Sequence, residues 1–370
     1  MRIIHLSYKY VPEYSNPDDW LQRISFSIGV LESKALYAEV IGIYNINYKG
    51  VLNRSGVVYH FPNFKKWGLR FPFLFNNYVK QLNPDVVIVH GLLFPWQVIM
   101  LRWWVSKRLI IIAQHHAEKP LRNIRKWVQK RADNYIGAYL FSSLDLGMLW
   151  IDKGQINGPQ KIKIVMGTSS PFYVADKKAS RIKTNVYGDA VFLWVGGLDS
   201  NKDPLVVVRA FIHFVKQFPT ANLYLIYQTF QLLEEIKKVL ANSPLASNSI
   251  HLIGKVENQE LQHWYNSADF IISSSHYEGS GIAVCEGLSC GCIPILTNIP
   301  SFRMMTDNGR FGILYEVGSE EALLNALQNS MMLNRESEKE KVVEWFKKEL
   351  SFDANAKKIM SVIDEIDMSR

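Results

Sequence analysis

The sequence predicts an α/β protein of two doubly wound domains, each built around a parallel sheet. Its 370 residues are too many for one ordinary hydrophobic core and suit two domains of roughly 150–200 residues. Short β-branched runs alternate with amphipathic segments, a pattern typical of βαβ units. A polar, Lys-rich stretch over 171–187 interrupts this alternation, and we interpret it as the linker.

The first series of elements occupies residues 1–175. Its strands are continuous apolar runs, which indicates burial on both faces and therefore parallel pairing. The predicted strands are Ile3–Ser7, Glu39–Tyr44, Val57–Phe61, Asp85–His90, Leu109–Gln114, Ala138–Ser142 and Lys161–Val165. The helices predicted between them are Trp20–Glu32, Phe73–Gln81, Pro95–Val105 and Leu121–Asp133.

The second series occupies residues 185–350. Its predicted strands are Val191–Val195, Asn222–Tyr227, Ile250–Ile253, Phe270–Ser273 and Cys292–Leu296. Its predicted helices are Asp203–Gln217, Gln231–Asn242, Glu257–Asn266, Ala283–Ser289, Glu320–Leu327 and Glu338–Leu350, and one more helix is predicted over Asp353–Ile366. Ligands of such sheets bind at the carboxyl ends of the strands, so we expect a site in a cleft between the two domains.

Composition indicates the class of protein and the environment in which it folds. The chain is 48% hydrophobic and 21% charged, as expected of a globular protein. The N-terminus is predicted to be a buried strand rather than a signal peptide, and no apolar run approaches the 18 residues of a spanning helix. The three cysteines, Cys285, Cys290 and Cys292, lack a second ligand cluster at zinc spacing. They are predicted to be small buried residues of a reduced, cytoplasmic protein.

The positive charge of the chain is concentrated in its first half. Residues 1–180 hold 24 Lys and Arg against 11 Asp and Glu, whereas residues 181–370 hold 18 against 23. Segments 61–73 and 101–108 and the helix after His116 combine these cations with aromatic residues. Such a surface suits an anionic membrane, so we expect contact with the inner face of the membrane, against the alternative of solvated helix faces. A nucleic-acid partner is not expected, because no known binding module is present.

The first motif that carries chemistry is HYEGSGIAVCEG, residues 276–287, which follows a strand and opens a helix. Gly279, Ser280 and Gly281 let the backbone approach a ligand, and the first N–H groups of the helix suit a diphosphate. Glu286, about one turn into the helix, can accept hydrogen bonds from both hydroxyls of a ribose. Glu278 can reach the group beyond the phosphate. Alone, the same pattern also fits a plain strand–turn–helix with solvated glutamates.

The second motif is WVGGLDSNKDP, residues 194–204, and it also joins a strand to a helix. Pro204 favours the first helical turn. Lys202 stands before it, where its ammonium could neutralise a phosphate. Considered by itself, a lysine near the start of a helix is more often solvated.

Together the two motifs resemble the retaining glycosyltransferases of family 4, which have the GT-B architecture of two Rossmann-like domains. The resemblance covers about Phe192–Leu327 best and includes the strand lead-in at Asp269, the Glu278-x7-Glu286 spacing and the strand around Pro294. It implies a nucleotide-sugar donor site in the C-terminal domain. It also implies that the helix over 353–370 packs back on the N-terminal domain.

The resemblance implies a role for each matching residue. Glu286 holds the ribose of the donor, and Glu278 lies near the sugar hydroxyls. The backbone amides of Ser280, Gly281 and Ile282 meet the sugar or the diphosphate, with Gly279 beside them. Lys202 stabilises the diphosphate as it departs.

Two departures from the family pattern affect these expectations. The family commonly has Gly-Arg-Leu where this chain has Gly196, Gly197 and Leu198, so one cation of the diphosphate clamp is missing. Arg303 is a candidate to replace it. The loop after the first strand, residues 10–20, lacks the usual glycines, which leaves the acceptor open.

The segment AQHHAEKP, residues 113–120, ends a strand of the N-terminal domain. Members of the family often have a histidine here that touches the donor sugar. We assign this role to His116, with His115 as the alternative. His90, which ends another strand, and Glu118 are further acceptor-side candidates. The competing interpretation is that these histidines are structural.

We therefore expect a hexosyltransferase-type enzyme that moves a sugar from a nucleotide donor to a glycan, glycolipid or lipid-linked acceptor in a bacterial surface-polysaccharide or glycolipid pathway. The resemblance implies retention of configuration, no metal and no cofactor beyond the donor itself, since the departing phosphate can accept the acceptor's proton. The alternative is a degenerate transferase kept as a nucleotide-binding or scaffold subunit, of which Gly197 would be the sign. The sequence does not choose between the uridine, guanosine and adenosine diphosphate sugars.

Overall fold

The computed structural model describes residues 1–369, except for the side chain of Leu245, and divides into two compact units. The first unit combines Met1–Ser169 with Phe352–Arg370, and the second is Ser170–Ser351. The segment 170–175, expected in the first domain, therefore falls within the second unit.

The first unit has an eight-stranded sheet in the order β3-β4-β2-β1-β5-β6-β7-β8. All neighbouring strands pair in parallel except β3 and β4, which form an antiparallel hairpin at one edge. The strands are β1 (Arg2–Val11), β2 (Glu39–Ile46), β3 (Gly50–Arg54), β4 (Val57–Phe61), β5 (Val86–His90), β6 (Ile110–Gln114), β7 (Ala138–Phe141) and β8 (Ile162–Ile164).

Helices pack on this sheet, and the last helix of the chain is one of them. Ile359, Val362 and Ile363 of that helix share a buried apolar cluster with Ile3 and Val86 of the sheet. The helices of the unit are α1 (Pro17–Arg23), α2 (Ser25–Lys34), α3 (Lys66–Arg70), α4 (Phe73–Gln81), α5 (Pro95–Trp104), α6 (Asn123–Asp133), α7 (Leu144–Asp152) and α17 (Phe352–Met368), with a short 3₁₀ turn at Pro159–Lys161.

The second unit has a six-stranded, all-parallel sheet in the order β11-β10-β9-β12-β13-β14. Its strands are β9 (Ala190–Gly196), β10 (Ala221–Tyr227), β11 (Ile250–Gly254), β12 (Phe270–Ser273), β13 (Ile293–Thr297) and β14 (Ile313–Tyr315). Its helices are α8 (Lys177–Thr184), α9 (Pro204–Phe214), α10 (Leu233–Ala241), α11 (Pro244–Ser247), α12 (Asn258–Ser267), α13 (Ile282–Ser289), α14 (Pro300–Met305), α15 (Glu320–Ser330) and α16 (Arg335–Trp345), followed by a π turn at Phe346–Leu350.

The fold class predicted from the sequence is confirmed, because both units are α/β layers around a parallel sheet. The clearest local difference lies in the predicted linker, where residues 177–184 form α8. Asp176 caps this helix, and Lys177 and Arg181 pair with the buried carboxylate of Asp269. The Lys-rich segment that suggested a linker is therefore a helix, and its Lys177 forms an ion pair with the buried Asp269 of the second unit.

The predicted helix Trp20–Glu32 is two helices, separated at Ile24, whose backbone leaves the helical region. The sequence gives no glycine or proline at this point to mark the break. Among the described helices, none combines the length and the apolar character needed to cross a lipid bilayer.

Candidate functional site

The predicted site residues of the second unit follow two neighbouring strands, β9 and β12. The order of strands reverses between them, since β10 and β11 continue on one side and β13 and β14 on the other. Doubly wound sheets bind ligands at this switch point, beyond the carboxyl ends of the strands. Loop 197–203 after β9 and loop 274–281 after β12 both begin there.

Hydrogen bonds tie the two loops to each other. Ser274 Oγ donates to the carbonyl of Lys202 at 2.6 Å, and the side-chain amide of Asn201 donates to the carbonyl of Tyr277 at 3.1 Å. The backbone N–H of His276 donates to the carbonyl of Asn201 at 2.8 Å. These bonds fix the position of Lys202 relative to the glycine-containing loop.

Within loop 197–203, the carboxylate of Asp199 shapes the turn that presents Lys202. Its Oδ1 accepts hydrogen bonds from the backbone N–H groups of Asn201, at 2.9 Å, and Lys202, at 3.0 Å. Asp203 then has a positive φ of 43° and precedes Pro204, the first residue of α9. Its carboxylate lies 2.9 Å from His276 Nε2, a further link between the loops.

Lys202 and Glu278 form an ion pair at the centre of this arrangement. Ser275 Oγ donates to Glu278 Oε1 at 2.7 Å, and the Glu278 side chain is only 13% exposed. The Lys202 side chain is 30% exposed, and both residues line a small pocket with Gly281 and Ile282. An anion that entered this pocket would compete with Glu278 for the ammonium of Lys202.

Gly281 is required by the geometry of the turn into α13. Its backbone is left-handed, with φ 54° and ψ 58°, and a Cβ atom there would lie 2.7 Å from Cε1 of Phe302. The helix begins at Ile282, and the N–H groups of a first helical turn have no partner within the helix. Ser280 lies in the turn just before the helix. Ser301 Oγ donates hydrogen bonds to the carbonyls of Glu278, at 2.6 Å, and Gly279, at 3.3 Å.

Glu286 lies in the interior of the unit rather than on its surface. The residue is 7% exposed, and one oxygen of its carboxylate accepts a 2.8 Å hydrogen bond from Tyr265 Oη. Burial raises the pKa of Glu286 to about 7, while the bond from Tyr265 opposes this shift. The carboxylate therefore titrates near neutral pH, which the sequence motif does not reveal.

The position that lacks the family arginine is crowded. A Cβ atom on Gly197 would lie 2.8 Å from Asp199 Oδ2 and 2.9 Å from Thr229 Oγ1. Arg303, the suggested replacement, lies on α14, and its Nη1 donates to the side-chain oxygen of Asn298 at 3.1 Å and to the Asn298 carbonyl at 3.3 Å. The guanidinium is thus engaged by Asn298.

In the first unit, the acceptor-side candidates form one cluster at the ends of β5 and β6. His90 Nδ1 and His116 Nε2 are 3.1 Å apart, and their ring planes are inclined by 23°. The Glu118 carboxylate accepts hydrogen bonds from the backbone N–H of His116, at 2.6 Å, and of Leu92, at 3.2 Å. Glu118 therefore joins the two loops that carry the histidines.

The two adjacent histidines differ in their surroundings. The ring of His115 packs on Phe141 with centroids 4.6 Å apart, and its Nε2 lies 2.8 Å from the carbonyl of Glu118. His115 is 8% exposed, whereas His116 is exposed. Of the two alternatives, His116 is the more exposed residue.

The sequence analysis did not identify several residues that complete these clusters. Tyr265, Ser275, Ser301 and Asp199 hydrogen-bond to the predicted site residues of the second unit, yet the sequence analysis singled out none of the four. The contacts of Tyr265 and Ser301 arise from tertiary packing, which the motifs do not reveal, whereas those of Ser275 and Asp199 are local. The predicted site residues belong to two groups, one in each unit.

Comparison with known proteins finds a family model that matches the second unit. Residues 176–348 match the family model of the glycosyl transferases group 1. The poly(glycerol-phosphate) alpha-glucosyltransferase of Bacillus subtilis is 28% identical over 179 residues, which are 46% of this chain and 26% of that protein. A GDP-mannose:cellobiosyl-diphosphopolyprenol alpha-mannosyltransferase of Xanthomonas campestris is 23% identical over 254 residues, which are 66% of this chain and 64% of that protein. The matches thus span less than two thirds of either relative.

Solved structures show the fold of the whole chain. The crystal structure of Anabaena HepE in complex with UDP superposes with a TM-score of 0.72 at 11% identity and covers 99% of this chain and all of that one. At this identity the likeness concerns the fold alone. The second unit therefore matches the group 1 glycosyltransferases over most of its length, and the chain has the GT-B fold.

Proposed function

We propose that the protein is a glycosyltransferase that moves a sugar from a nucleotide-sugar donor to a glycan, glycolipid or lipid-linked acceptor. One observation carries this proposal: Lys202 and Glu278 form an ion pair in a pocket at the N-terminus of α13, at the switch point of a sheet, and Glu286 follows about one turn later in the same helix. That sheet lies in the segment that matches the group 1 glycosyltransferases. The two relatives compared above are named for transfer to a glycerol-phosphate polymer and to a polyprenol-linked disaccharide, which supports an acceptor of this kind.

The chemistry of each residue supports a position for the donor. The diphosphate lies at the N-terminus of α13, where the helix dipole and unpaired N–H groups favour an anion, and takes Lys202 as its cation. Glu286 accepts the ribose hydroxyls. Glu278, released from Lys202 by the diphosphate, accepts hydroxyls of the sugar. For the catalytic histidine that the resemblance implies, we propose His116 of the first unit.

The transfer breaks the bond between the anomeric carbon and the β-phosphate oxygen and forms a bond from that carbon to the acceptor oxygen. The departing phosphate accepts the acceptor's proton, so the new bond forms on the face that the diphosphate leaves, with retention. Negative charge grows on the diphosphate during this step, and Lys202 stabilises it together with the helix amides. In this proposal the cation and the amides take the part that a metal plays elsewhere, and activity persists in EDTA.

The acceptor side is proposed to approach a membrane. Helices α3 to α6 of the first unit expose large apolar side chains, with Trp67 71%, Trp103 65% and Trp127 65% exposed. Arg70 lies over the ring of Trp67 at 5.6 Å, so charge and aromatic surface are adjacent. Aromatic rings flanked by cations bind the headgroup region of anionic bilayers.

Liposome sedimentation tests the membrane contact. We expect binding to anionic vesicles at low salt, and a weaker interaction for a double variant, Trp67→Ser with Trp127→Ser. Phe230→Ser is the matched control, because Phe230 is 62% exposed but lies in the second unit. Equal binding of the double variant and the control would contradict this placement.

A transfer assay tests the proposed function itself. Wild-type protein is incubated with labelled uridine, guanosine and adenosine diphosphate sugars and with lipid extract or polysaccharide, and labelled product is counted. We expect product from one donor, and its loss in Glu278→Gln. If a nucleotide binds but no donor yields product or free nucleoside diphosphate, the protein is instead a nucleotide-binding subunit without transferase activity, as the glycine at position 197 would suggest.

A further inference from the structure

A chain of four basic side chains runs through the first unit to His116. Lys34 ends α2, His5 lies in β1, His90 ends β5, and His116 follows β6. Lys34 Nζ contacts His5 Nε2, His5 Nδ1 lies 2.8 Å from His90 Nε2, and His90 Nδ1 lies 3.1 Å from His116 Nε2. We call these four residues the basic chain. It joins neighbouring strands, since β1 pairs with β5 and β5 with β6.

The basic chain runs from the interior to the surface. Lys34 is 0% and His5 1% exposed, His90 is half-buried, and His116 is exposed. Burial lowers the pKa of Lys34 well below its usual range, and it also lowers that of His5 and His90. Among the described residues, no carboxylate lies within ion-pair distance of Lys34. A lysine buried in this way is uncommon, because burying a cation without an acid is unfavourable.

The hydrogen atoms of the basic chain have a preferred direction. Lys34 carries N–H groups in either charge state, whereas each ring nitrogen of a neutral histidine is either a donor or an acceptor. If Lys34 accepted a hydrogen bond from His5, all the N–H groups of the buried amine would be left without a partner. With Lys34 as donor, His5 and His90 must each accept at Nε2 and donate from Nδ1.

The last contact then determines the state of His116. His90 Nδ1–H donates to His116 Nε2, so the proton of a neutral His116 resides on Nδ1. Among the described residues, none is recorded as a partner of that Nδ1. The exposed end of the basic chain is therefore an N–H donor held in a fixed orientation.

We propose that Lys34, His5 and His90 are positioning residues that hold His116 as its Nδ1–H tautomer and can pass it a proton through the same contacts. This inference rests on the proposed function only for the use of His116 in catalysis. It gives a role to the buried Lys34 and to His5, two residues that neither sequence motif includes.

The proton transfer conserves every proton in the basic chain. An ammonium at Lys34 gives a proton to His5 Nε2, His5 Nδ1–H passes its proton to His90 Nε2, and His90 Nδ1–H passes its proton to His116 Nε2. Lys34 ends as a neutral amine and His116 as an imidazolium. The charge moves from Lys34, which has no acid beside it in the described part of the chain, to His116, where the Glu118 carboxylate favours it.

Few other titratable groups stand against the basic chain. Glu118 and His115 flank His116 in the loop after β6. Desolvation lowers the pKa of His116, the Glu118 carboxylate opposes this shift, and His115 lowers the pKa further. These two groups affect only the exposed end. Lys34 is the titratable group that acts on the chain from α2.

Nitrogen NMR of histidine-labelled full-length protein tests the tautomer. At neutral pH we expect the wild-type His116 to carry its proton on Nδ1, and we expect a measurable coupling between His90 Nδ1 and His116 Nε2 across their hydrogen bond. A wild-type His116 protonated at Nε2, or no coupling, would overturn the proposal. This measurement needs no variant.

Lys34→Met then cuts the basic chain at its buried end while keeping a flexible apolar side chain. We expect the His116 tautomer to change toward Nε2–H, the form that free histidine prefers. His60→Gln is the control, because His60 is another histidine of this unit whose ring contacts Tyr78 Oη at 2.6 Å, outside the basic chain. An unchanged His116 tautomer in folded Lys34→Met would refute the inference.

Kinetics separate this inference from the proposed function. If the wild type transfers sugar, Lys34→Met should lower kcat by about 10- to 100-fold, a fraction of what a positioned acid or base contributes, and alter the pH profile, with little change in the KM for the donor. If the wild type transfers nothing but shows the expected tautomer, the proposed function fails and the basic chain stands. Transfer with a pH profile identical in Lys34→Met would remove the role assigned to Lys34.

Discussion

The buried carboxylate of Glu286 should make the protein less stable as pH rises. Its pKa is 4.5 in an unfolded chain and about 7 in the folded one, because burial disfavours the ionised form. Below pH 4.5 the group is protonated in both states and has no effect on the free energy of unfolding. As pH rises toward 7 the unfolded chain releases this proton first, so the folded state loses stability, and above pH 7 the loss is complete.

Glu286→Gln removes this penalty, because glutamine resembles the protonated acid in size and in its lack of charge. A difference of about 2.5 pKa units corresponds to about 3 kcal/mol at 1.36 kcal/mol per unit. We therefore expect the variant to be more stable than the wild type by about 3 kcal/mol at pH 8 and by about 1 kcal/mol at pH 5. For a unit of this size, the pH 8 value is roughly 6–12 °C in Tm.

Thermal unfolding between pH 5 and pH 9 measures this difference. Glu340→Gln is the matched control, since Glu340 is an exposed residue of the same unit. Tyr265→Phe removes the hydrogen bond that opposes the rise in the pKa of Glu286. In this variant the loss of stability with rising pH should therefore extend to higher pH than in the wild type. A Gln variant whose advantage does not grow from pH 5 to pH 8 would refute the reasoning.

Three further predictions follow from the same geometry. Lys202→Met should lower kcat/KM for transfer by roughly 10²–10³, the usual effect of removing one group that stabilises the departing charge, whereas Lys255→Met, which breaks an exposed ion pair with Glu257, should not. Gly281→Ala should lower Tm by more than Gly254→Ala, because both positions have positive φ but only the Cβ at 281 meets another side chain. The difference measured by calorimetry should be about 1–3 kcal/mol, the destabilisation caused by overpacking, and equal losses would contradict this. Nucleotide affinity should increase as pH rises through about 7, because ionised Glu286 is the stronger acceptor for ribose hydroxyls. Calorimetric titration at pH 6 and pH 8 measures this, and equal affinities would show that Glu286 does not bind the nucleotide.

The sequence predicted those features of the fold that depend on local pattern. Continuous apolar runs indicated buried parallel strands, so β4 (Val57–Phe61) and β12 (Phe270–Ser273) were predicted to the residue. The β3 strand was missed because it is short and only partly buried, with an antiparallel partner that leaves no long apolar run. Helix α8 was missed because a Lys-rich segment has the composition of a loop until its buried partner, Asp269, is known.

The candidate site shows the same limit. Glycines, a lysine and two glutamates at fixed spacing can be recognised along the chain, since their chemistry depends on residue type and order. The ion pair between Lys202 and Glu278 and the bond from Tyr265 to Glu286 join residues 76 and 21 positions apart. Only the packed sheet brings such residues together, and with them the raised pKa of Glu286. The basic chain was missed for this reason, because Lys34, His5, His90 and His116 come from four separate elements.

The most direct test of the central claim is nucleotide binding at the proposed donor site. Wild type and Glu286→Gln are unfolded thermally at pH 8 with UDP, GDP or ADP, each at the same millimolar concentration. A nucleotide present at 100 times its dissociation constant should stabilise the wild type by about 2.7 kcal/mol. We predict that one nucleotide does so and that its effect is largely lost in Glu286→Gln, although this variant folds more stably. Equal stabilisation of both proteins, or none by any nucleotide at millimolar concentration, would contradict the assignment of the donor site.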